Sequence, residues 1–86
     1  MVTKTVQFNC DETLQMKAVA VLIQKASTFR SNIWLSSGER RANAKSLLGV
    51  MSLGIENASD LKVTAEGSDE EEALKVITAY LTNPDF

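Results

Sequence analysis

Few residues of this chain have side chains suited to covalent chemistry. Its 86 residues include no histidine and one cysteine, Cys10. Cys10 could form a thiophosphate and the neighbouring Asp11 an acyl phosphate, but a loop carboxylate and a small, partly buried thiol explain both residues more simply. A chain with no histidine and a single cysteine also lacks the usual ligands of zinc, so no metal site is expected.

Neither the carboxylates nor the glycines indicate an active site. No acidic residue is paired with a base in a recognisable catalytic arrangement. The glycines at 38, 49, 54 and 67 are isolated and form no phosphate-binding loop, so they are interpreted as turn and cap positions. The sequence therefore predicts a protein that is not an enzyme and that needs no cofactor.

Composition limits the class of protein further. A hydrophobic fraction of 44% permits a modest core, and the length predicts one domain over residues 1–86. The net charge of −2 argues against a general nucleic-acid binder. No apolar run approaches the ~20 residues needed to cross a membrane, and the first residues lack a signal peptide's hydrophobic stretch. We expect a cytoplasmic protein that contacts neither nucleic acid nor membrane directly.

Alternation of polar and apolar residues predicts the strands. Residues 2–8 and 60–67 show the period of two that is typical of a half-buried strand. Residues 31–44 predict a hairpin that turns at Ser37-Gly38. An antiparallel sheet with one solvated face fits this alternation.

Apolar spacings of three and four predict three helices. The first begins at Met16, the second is capped by Ser46 and ended by Gly54, and the third follows Ser68 and Glu71, which have capping-box spacing. The resulting order is βαββαβα. Strands and helices that each have one apolar side bury it by packing in two layers, here a sheet with helices on one side.

Two segments resemble the HPr family, the small phosphocarrier of the bacterial sugar phosphotransferase system. They are "NAKSLLGVMSL" (43–53), which is similar to the family's regulatory serine segment, and "AEGSDEEEAL" (65–74). With the order of elements, the resemblance covers essentially the whole chain. It implies an α+β open-faced β-sandwich, in which a four-stranded antiparallel sheet carries three helices on one face.

The resemblance also identifies a degenerate phosphocarrier site. The family's catalytic stretch reads glycine, aliphatic residue, histidine, alanine, arginine, proline, whereas residues 13–18 read "TLQMKA". Gln15 thus stands at the position of the phosphorylated histidine, and Lys17 at that of the arginine. The amide lone pair of Gln15 is delocalised, so it cannot form a phosphoramidate at a useful rate. Lys17 lacks the two-pronged grip of arginine. We expect no histidyl phosphocarrier activity.

The resemblance assigns a regulatory role to Ser46. It implies that an HPr serine kinase/phosphorylase phosphorylates Ser46, and that the modified protein is a corepressor of a LacI-type transcription regulator in carbon catabolite repression. The chain resembles the catabolite-repression HPr-like proteins, a subfamily with glutamine in place of the catalytic histidine. A phosphoserine at a helix start is electrostatically favourable, although capping alone also justifies a serine there.

A partner-binding surface is predicted beside Ser46. Only about half of the apolar side chains of a short helix can face the core, so some must be exposed. The resemblance implies that this surface is the family's shared docking site. Apolar residues rimmed by polar ones make up the predicted surface: Lys17, Ala20, Val21, Gln24, Lys45, Leu47, Leu48 and Met51.

Two alternatives remain open. The chain could be a non-phosphorylated HPr-like binding module of a separate or degenerate phosphotransferase-related system, or a carrier that uses Asp11 or Cys10. Trp34 falls on the face opposite Ile33 and Leu35, near water or under another chain. An aromatic residue there favours association, so a homodimer is retained beside the monomer.

Overall fold

The computed structural model describes residues 1–54 and 59–84. The order βαββαβα is confirmed, with one 3₁₀ turn, Glu12–Leu14, before the first helix. The strands are β1 (Val2–Phe8), β2 (Asn32–Ser37), β3 (Arg40–Asn43) and β4 (Ser59–Glu66), and the helices are α1 (Gln15–Ser27), α2 (Leu47–Leu53) and α3 (Glu70–Thr82). None of the described helices is long and apolar enough to span a bilayer.

The strands form one antiparallel sheet in the order β1-β4-β2-β3. Leu35 of β2 pairs with Val63 of β4 on one side and with Ala42 of β3 on the other, and all three are buried. The helices cover this face, while the opposite face carries the alternate, mostly polar residues. The predicted open-faced α+β sandwich is therefore confirmed.

The core joins the covered face of the sheet to the inner sides of α1 and α3. Its largest members are at most 2% exposed, and each such burial contributes about 1.5–3 kcal/mol. They are Phe8, Leu22, Ile33, Leu35, Leu61, Ile77 and Leu81. The inward positions predicted for Ile33 and Leu35 are thus confirmed.

The start of α3 differs from the prediction. The capping box expected from Ser68 and Glu71 does not form, because α3 begins at Glu70 with Asp69 as its N-cap residue. The Asp69 side chain makes no capping bond; it accepts hydrogen bonds from the backbone N–H of Arg30 and Ser31, both 2.9 Å, and from the Ser31 hydroxyl. Asp69 therefore joins the α3 start to the turn between α1 and β2.

Gly67 allows these two segments to approach each other. Its φ of +153° is one that residues with a side chain rarely adopt, and a Cβ built there would lie 2.6 Å from Ser31 Oγ and 2.7 Å from Ser31 Cα. Gly67 was interpreted as a turn position; the structure adds that only a hydrogen atom fits against Ser31.

Trp34 lies on the open face, as predicted. It pairs with Thr64 of β4 and Asn43 of β3, and it is half-buried. The Arg41 guanidinium lies over the indole, 4.5 Å from the ring centroid. One side of the ring is therefore covered by a cation–π contact within the chain.

Candidate functional site

Ser46 is the N-cap residue of α2, as the sequence predicts. Its backbone is extended (φ −107°, ψ 116°), and its hydroxyl oxygen accepts a hydrogen bond of 3.2 Å from the Gly49 N–H. Gly54 ends the helix in the left-handed conformation with φ 69°. The helix has seven residues rather than the nine from Ser46 to Gly54, because both ends act as caps. The half-buried hydroxyl is thus held at the positive end of a short helix.

Backbone contacts fix the loop that presents Ser46. The Ala44 N–H donates to the carbonyl of Ile33 at 2.8 Å, and the Ser46 N–H donates to the carbonyl of Asn43 at 3.0 Å. The Lys45 N–H donates to Asn43 Oδ1 at 2.8 Å. These bonds anchor the loop to β2 and to itself, so α2 begins at a defined point beside the sheet.

Lys45 was predicted to rim the docking surface. Its side chain is half-buried, and Nζ donates to the carbonyl of Phe29, just after α1, at 2.7 Å. Lys45 thus ties the loop before Ser46 to the residues after α1. Its ammonium is already hydrogen-bonded where it stands.

Gln15 and Lys17 lie in the first turn of α1, Gln15 half-buried and Lys17 exposed. Asp11 stabilises the turn before them, because its Oδ1 accepts 3.1 Å hydrogen bonds from both the backbone N–H and the hydroxyl of Thr13. Asp11 therefore acts as a local turn cap at this position. Its carboxylate is exposed and already accepts two hydrogen bonds.

Cys10 is buried, at 7% exposed, and burial raises the pKa of its thiol, with the Asp11 charge adding to the rise. The reactive thiolate is correspondingly disfavoured.

Nearby, burial raises the pKa of Tyr80 to about 12, with a second contribution from Cys10. The Tyr80 hydroxyl donates to the Ala18 carbonyl at 2.8 Å and so fixes α1 to α3. Among the residues described, no three histidine, cysteine or carboxylate groups could hold a metal ion.

The predicted apolar surface is exposed mainly on α2. Leu48 is 78% exposed, Leu47 48% and Met51 47%, while Val50 and Leu53 face the core. The expectation that a short helix must leave apolar side chains outside is therefore confirmed.

The contribution of α1 to this surface needs one correction. Ala20 and Gln24 are exposed, but Val21 is half-buried and packs against the core, so it does not face fully away from it. Near the start of α1, Leu14 (45% exposed) and Met16 (63%) were missing from the predicted surface. Met16 falls outside the inward stripe of α1, and that spacing could have identified it, whereas Leu14 precedes the helix as its N-cap residue.

The family described as the PTS HPr component phosphorylation site matches residues 2–83. The chain belongs to the HPr family. The HPr-like protein Crh of Bacillus subtilis (strain 168) is 35% identical over 81 residues, which cover 94% of this chain and 95% of that protein. The chain is therefore similar to an HPr-like protein whose solution structure is described as a catabolite repression HPr.

Solved structures of HPr proteins match closely. HPr-C-His from Thermoanaerobacter tengcongensis superposes with a TM-score of 0.91 at 34% identity, covering 100% of both chains. The phosphocarrier protein HPr from Bacillus anthracis str. Ames gives 0.88 at 40% identity, covering 93% of this chain and 95% of that one. Crh has also been solved as a dimer with a swapped domain (TM-score 0.77, 28% identity, covering 94% and 88%).

Proposed function

We propose that this chain is an HPr-like regulatory adaptor without histidyl phosphocarrier activity. In this proposal an HPr serine kinase/phosphorylase modifies Ser46 in the cytoplasm, and the modified protein serves as corepressor of a LacI-type transcription regulator in carbon catabolite repression. The observation that carries the proposal is a capping serine beside three exposed apolar side chains, in an HPr-family chain that has no histidine. Similarity to Crh supports the same role.

The position of Ser46 is compatible with modification. A phosphate on Oγ replaces one acceptor by several at the N–H groups of the first helical turn, so the cap is retained. It adds a charge of about −1.5 to −2 at a single point. Because the Lys45 ammonium is bonded to the Phe29 carbonyl, the neighbouring cation is engaged, and the new charge remains for a partner's arginine or lysine.

In the proposed complex the exposed apolar residues of α2 and the outer residues of α1 form one contact surface. Leu47, Leu48 and Met51 supply the apolar part of this surface, and Lys17 and Gln24 its polar edge. An exposed apolar patch with a polar rim is typical of a contact site. In the same proposal, Gln15 occupies the old phosphocarrier position without transferring phosphate.

The test begins with intact-protein mass spectrometry after incubation with an HPr serine kinase and ATP. We expect one phosphate on the parent and none on Ser46→Ala or Ser46→Asn. Asparagine caps helices about as well as serine but cannot be phosphorylated, so Ser46→Asn separates loss of the site from loss of the cap. An ordinary HPr serves as the positive control. An unmodified parent in a reaction that modifies the control would contradict the proposal.

Binding to a purified LacI-type repressor is then titrated with modified and unmodified protein. We expect measurable binding only for phosphorylated protein. Phosphorylated Leu48→Ser should bind more weakly than the phosphorylated parent, because it loses the most exposed apolar side chain of α2. Equal binding by unmodified parent, Ser46→Asn and phosphorylated parent would instead favour the second candidate, an unmodified HPr-like binding module. That candidate is kept because the apolar exposure of α2 does not depend on phosphorylation.

The two residues of the carrier alternative, Cys10 and Asp11, are poorly placed to accept a phosphoryl group. Cys10 is buried and its thiol pKa is raised, and Asp11 accepts two hydrogen bonds from Thr13.

A homodimer remains part of the proposal, since Crh and an HPr from Thermoanaerobacter tengcongensis have been solved as dimers. Light scattering over a concentration series tests it, because a dimer loses half its mass on dilution below the dissociation constant.

A further inference from the structure

A second surface lies at the edge of the sheet, on β3. Within the described residues β3 pairs only with β2, so the outer backbone groups of Arg40–Asn43 face away from the sheet. Open edges of this kind can accept an additional extended strand from a partner.

Two adjacent arginines occupy this edge, and both are exposed. Because consecutive side chains of a strand point to opposite faces, Arg40 lies on the helix side and Arg41 on the open side. Arg40 Nη1 donates to the Ser52 carbonyl of α2 at 3.4 Å, and Arg41 lies over Trp34. The Arg40 guanidinium is therefore held on the helix side of the edge, and the Arg41 guanidinium on the open side.

A groove of about 300 Å³ runs between β3 and α2 at this point. Gly49 lies in the wall of this groove, where an added Cβ would make ordinary van der Waals contact with the Ala42 side chain at 3.6 Å. Two of the described residues that line the groove are arginines and none is a carboxylate; the lining is Arg40, Arg41, Gly49, Ser52 and Leu53. The groove and edge together favour an anionic occupant.

We propose that the β3 edge binds an extended segment of a partner protein that carries two adjacent acidic residues. In a strand added beside β3, neighbouring carboxylates point to opposite faces, so one meets Arg40 and the other meets Arg41. Arginine and carboxylate can pair through two parallel hydrogen bonds. A second copy pairing through its own β3 would gather four arginines at one edge without a carboxylate between them, and this like-charge repulsion disfavours that occupant.

The groove shares Gly49 with the cap of α2, but the proposed contacts are made by Arg40 and Arg41, so the proposal does not require phosphorylation of Ser46. The probe is a short fluorescein-labelled peptide of threonine and valine with two adjacent glutamates at its centre, added to the full-length protein. One comparison peptide has glutamines in place of the glutamates. Another has its glutamates separated by one residue, so that both carboxylates point to the same face. Fluorescence anisotropy gives the dissociation constants, and amide chemical shifts of ¹⁵N-labelled protein locate the site.

We expect the adjacent-glutamate peptide to bind most tightly and to shift the amides of residues 40–43. Arg40→Gln combined with Arg41→Gln should weaken it by about tenfold, as loss of two charge-assisted pairs requires. Lys4→Gln combined with Lys75→Gln, which removes two exposed cations near the opposite edge strand, should change it by less than about twofold. Circular dichroism confirms that the variants are folded.

Several results would overturn the proposal. Equal weakening in both double variants would indicate unspecific attraction between the acidic peptide and the surface cations. Equal affinity for the two glutamate spacings would show that the peptide does not bind as a strand beside β3. Competition by millimolar inorganic phosphate that abolishes the peptide shifts would indicate a small-anion site. If the adjacent-glutamate peptide does not bind, the proposal is wrong, and the two arginines serve only to prevent edge-to-edge association of the sheet.

Discussion

Replacing Gly67 by alanine tests the contact between the α3 start and the turn after α1. The new Cβ would lie 2.6 Å from Ser31 Oγ, 2.7 Å from its Cα and 3.0 Å from its Cβ. Only Oγ can move by rotation of the side chain, whereas Cα and Cβ can move only with the backbone. The residue must also keep a φ of +153°.

The magnitude follows from these two terms. An unfavourable backbone conformation costs about 1–3 kcal/mol, and overpacking a close contact costs about 1–3 kcal/mol more. Gly67→Ala should therefore lower the free energy of unfolding by about 2–6 kcal/mol. A protein of this size has a total stability of roughly 4–13 kcal/mol, so the variant could lose half of it.

Gly38→Ala is the matched control. Gly38 also has a positive φ, +61°, but nothing lies within 4 Å of a Cβ built there. It should cost only about 1–2 kcal/mol, the conformational part of the penalty. Urea unfolding followed by circular dichroism measures both variants, and the slope m should stay that of the parent. Equal losses for the two alanines would refute the steric argument, because they would leave only the φ effect.

Three further predictions concern single side chains. Hydrogen bonds from Ser31, and from the Arg30 N–H, lower the Asp69 pKa from 3.8 to about 2. The Asp69 carboxylate thus contributes its full stabilisation above pH 4, and this contribution is lost as the pH falls towards 2. The urea midpoints of the parent and of Asp69→Asn should therefore differ at pH 7 and converge near pH 2. Tyr80 is the one tyrosine, and its pKa is raised to about 12, so its ultraviolet titration should have a midpoint near pH 12 in the folded protein and near pH 10 in denaturant. Because the unfolded chain loses this proton first, the free energy of unfolding should fall as the pH rises from 10 to 12, and it should fall less in Tyr80→Phe. Ser46→Ala should cost about 0.5–2 kcal/mol of unfolding free energy through loss of its cap, whereas Ser46→Asn should cost little, and equal losses would contradict the capping role.

The sequence predicts the sheet and the inner helix faces well because one regular period governs each. Ile33 and Leu35 alternate with Trp34, and burial on one face requires that alternation to be kept in the structure. The cap of α2 is also local, since Ser46 and Gly49 are three residues apart. Local patterns of this kind need no knowledge of the rest of the chain.

Contacts between distant residues were not predictable in the same way. Ser68 and Glu71 have the spacing of a capping box, yet Asp69 finds donors at Arg30 and Ser31, which no local pattern places beside it. The bond from Lys45 to the Phe29 carbonyl spans 16 positions and likewise depends on how α1 ends beside the loop. Sequence periodicity reports which face a side chain occupies, but not which distant group it meets.

The sheet order also determines when the fold can close during synthesis. The central strand β4 lies between β1 and β2, although it is made last of the four. Thr3 and Thr64, which share a 3.3 Å hydrogen bond across that pairing, are 61 positions apart. Until β4 leaves the ribosome, a nascent chain has β1 and β2 but lacks the strand that pairs with both of them. Because β4 of a neighbouring chain can make the same two pairings, crowded translation should favour strand-exchanged pairs over monomers.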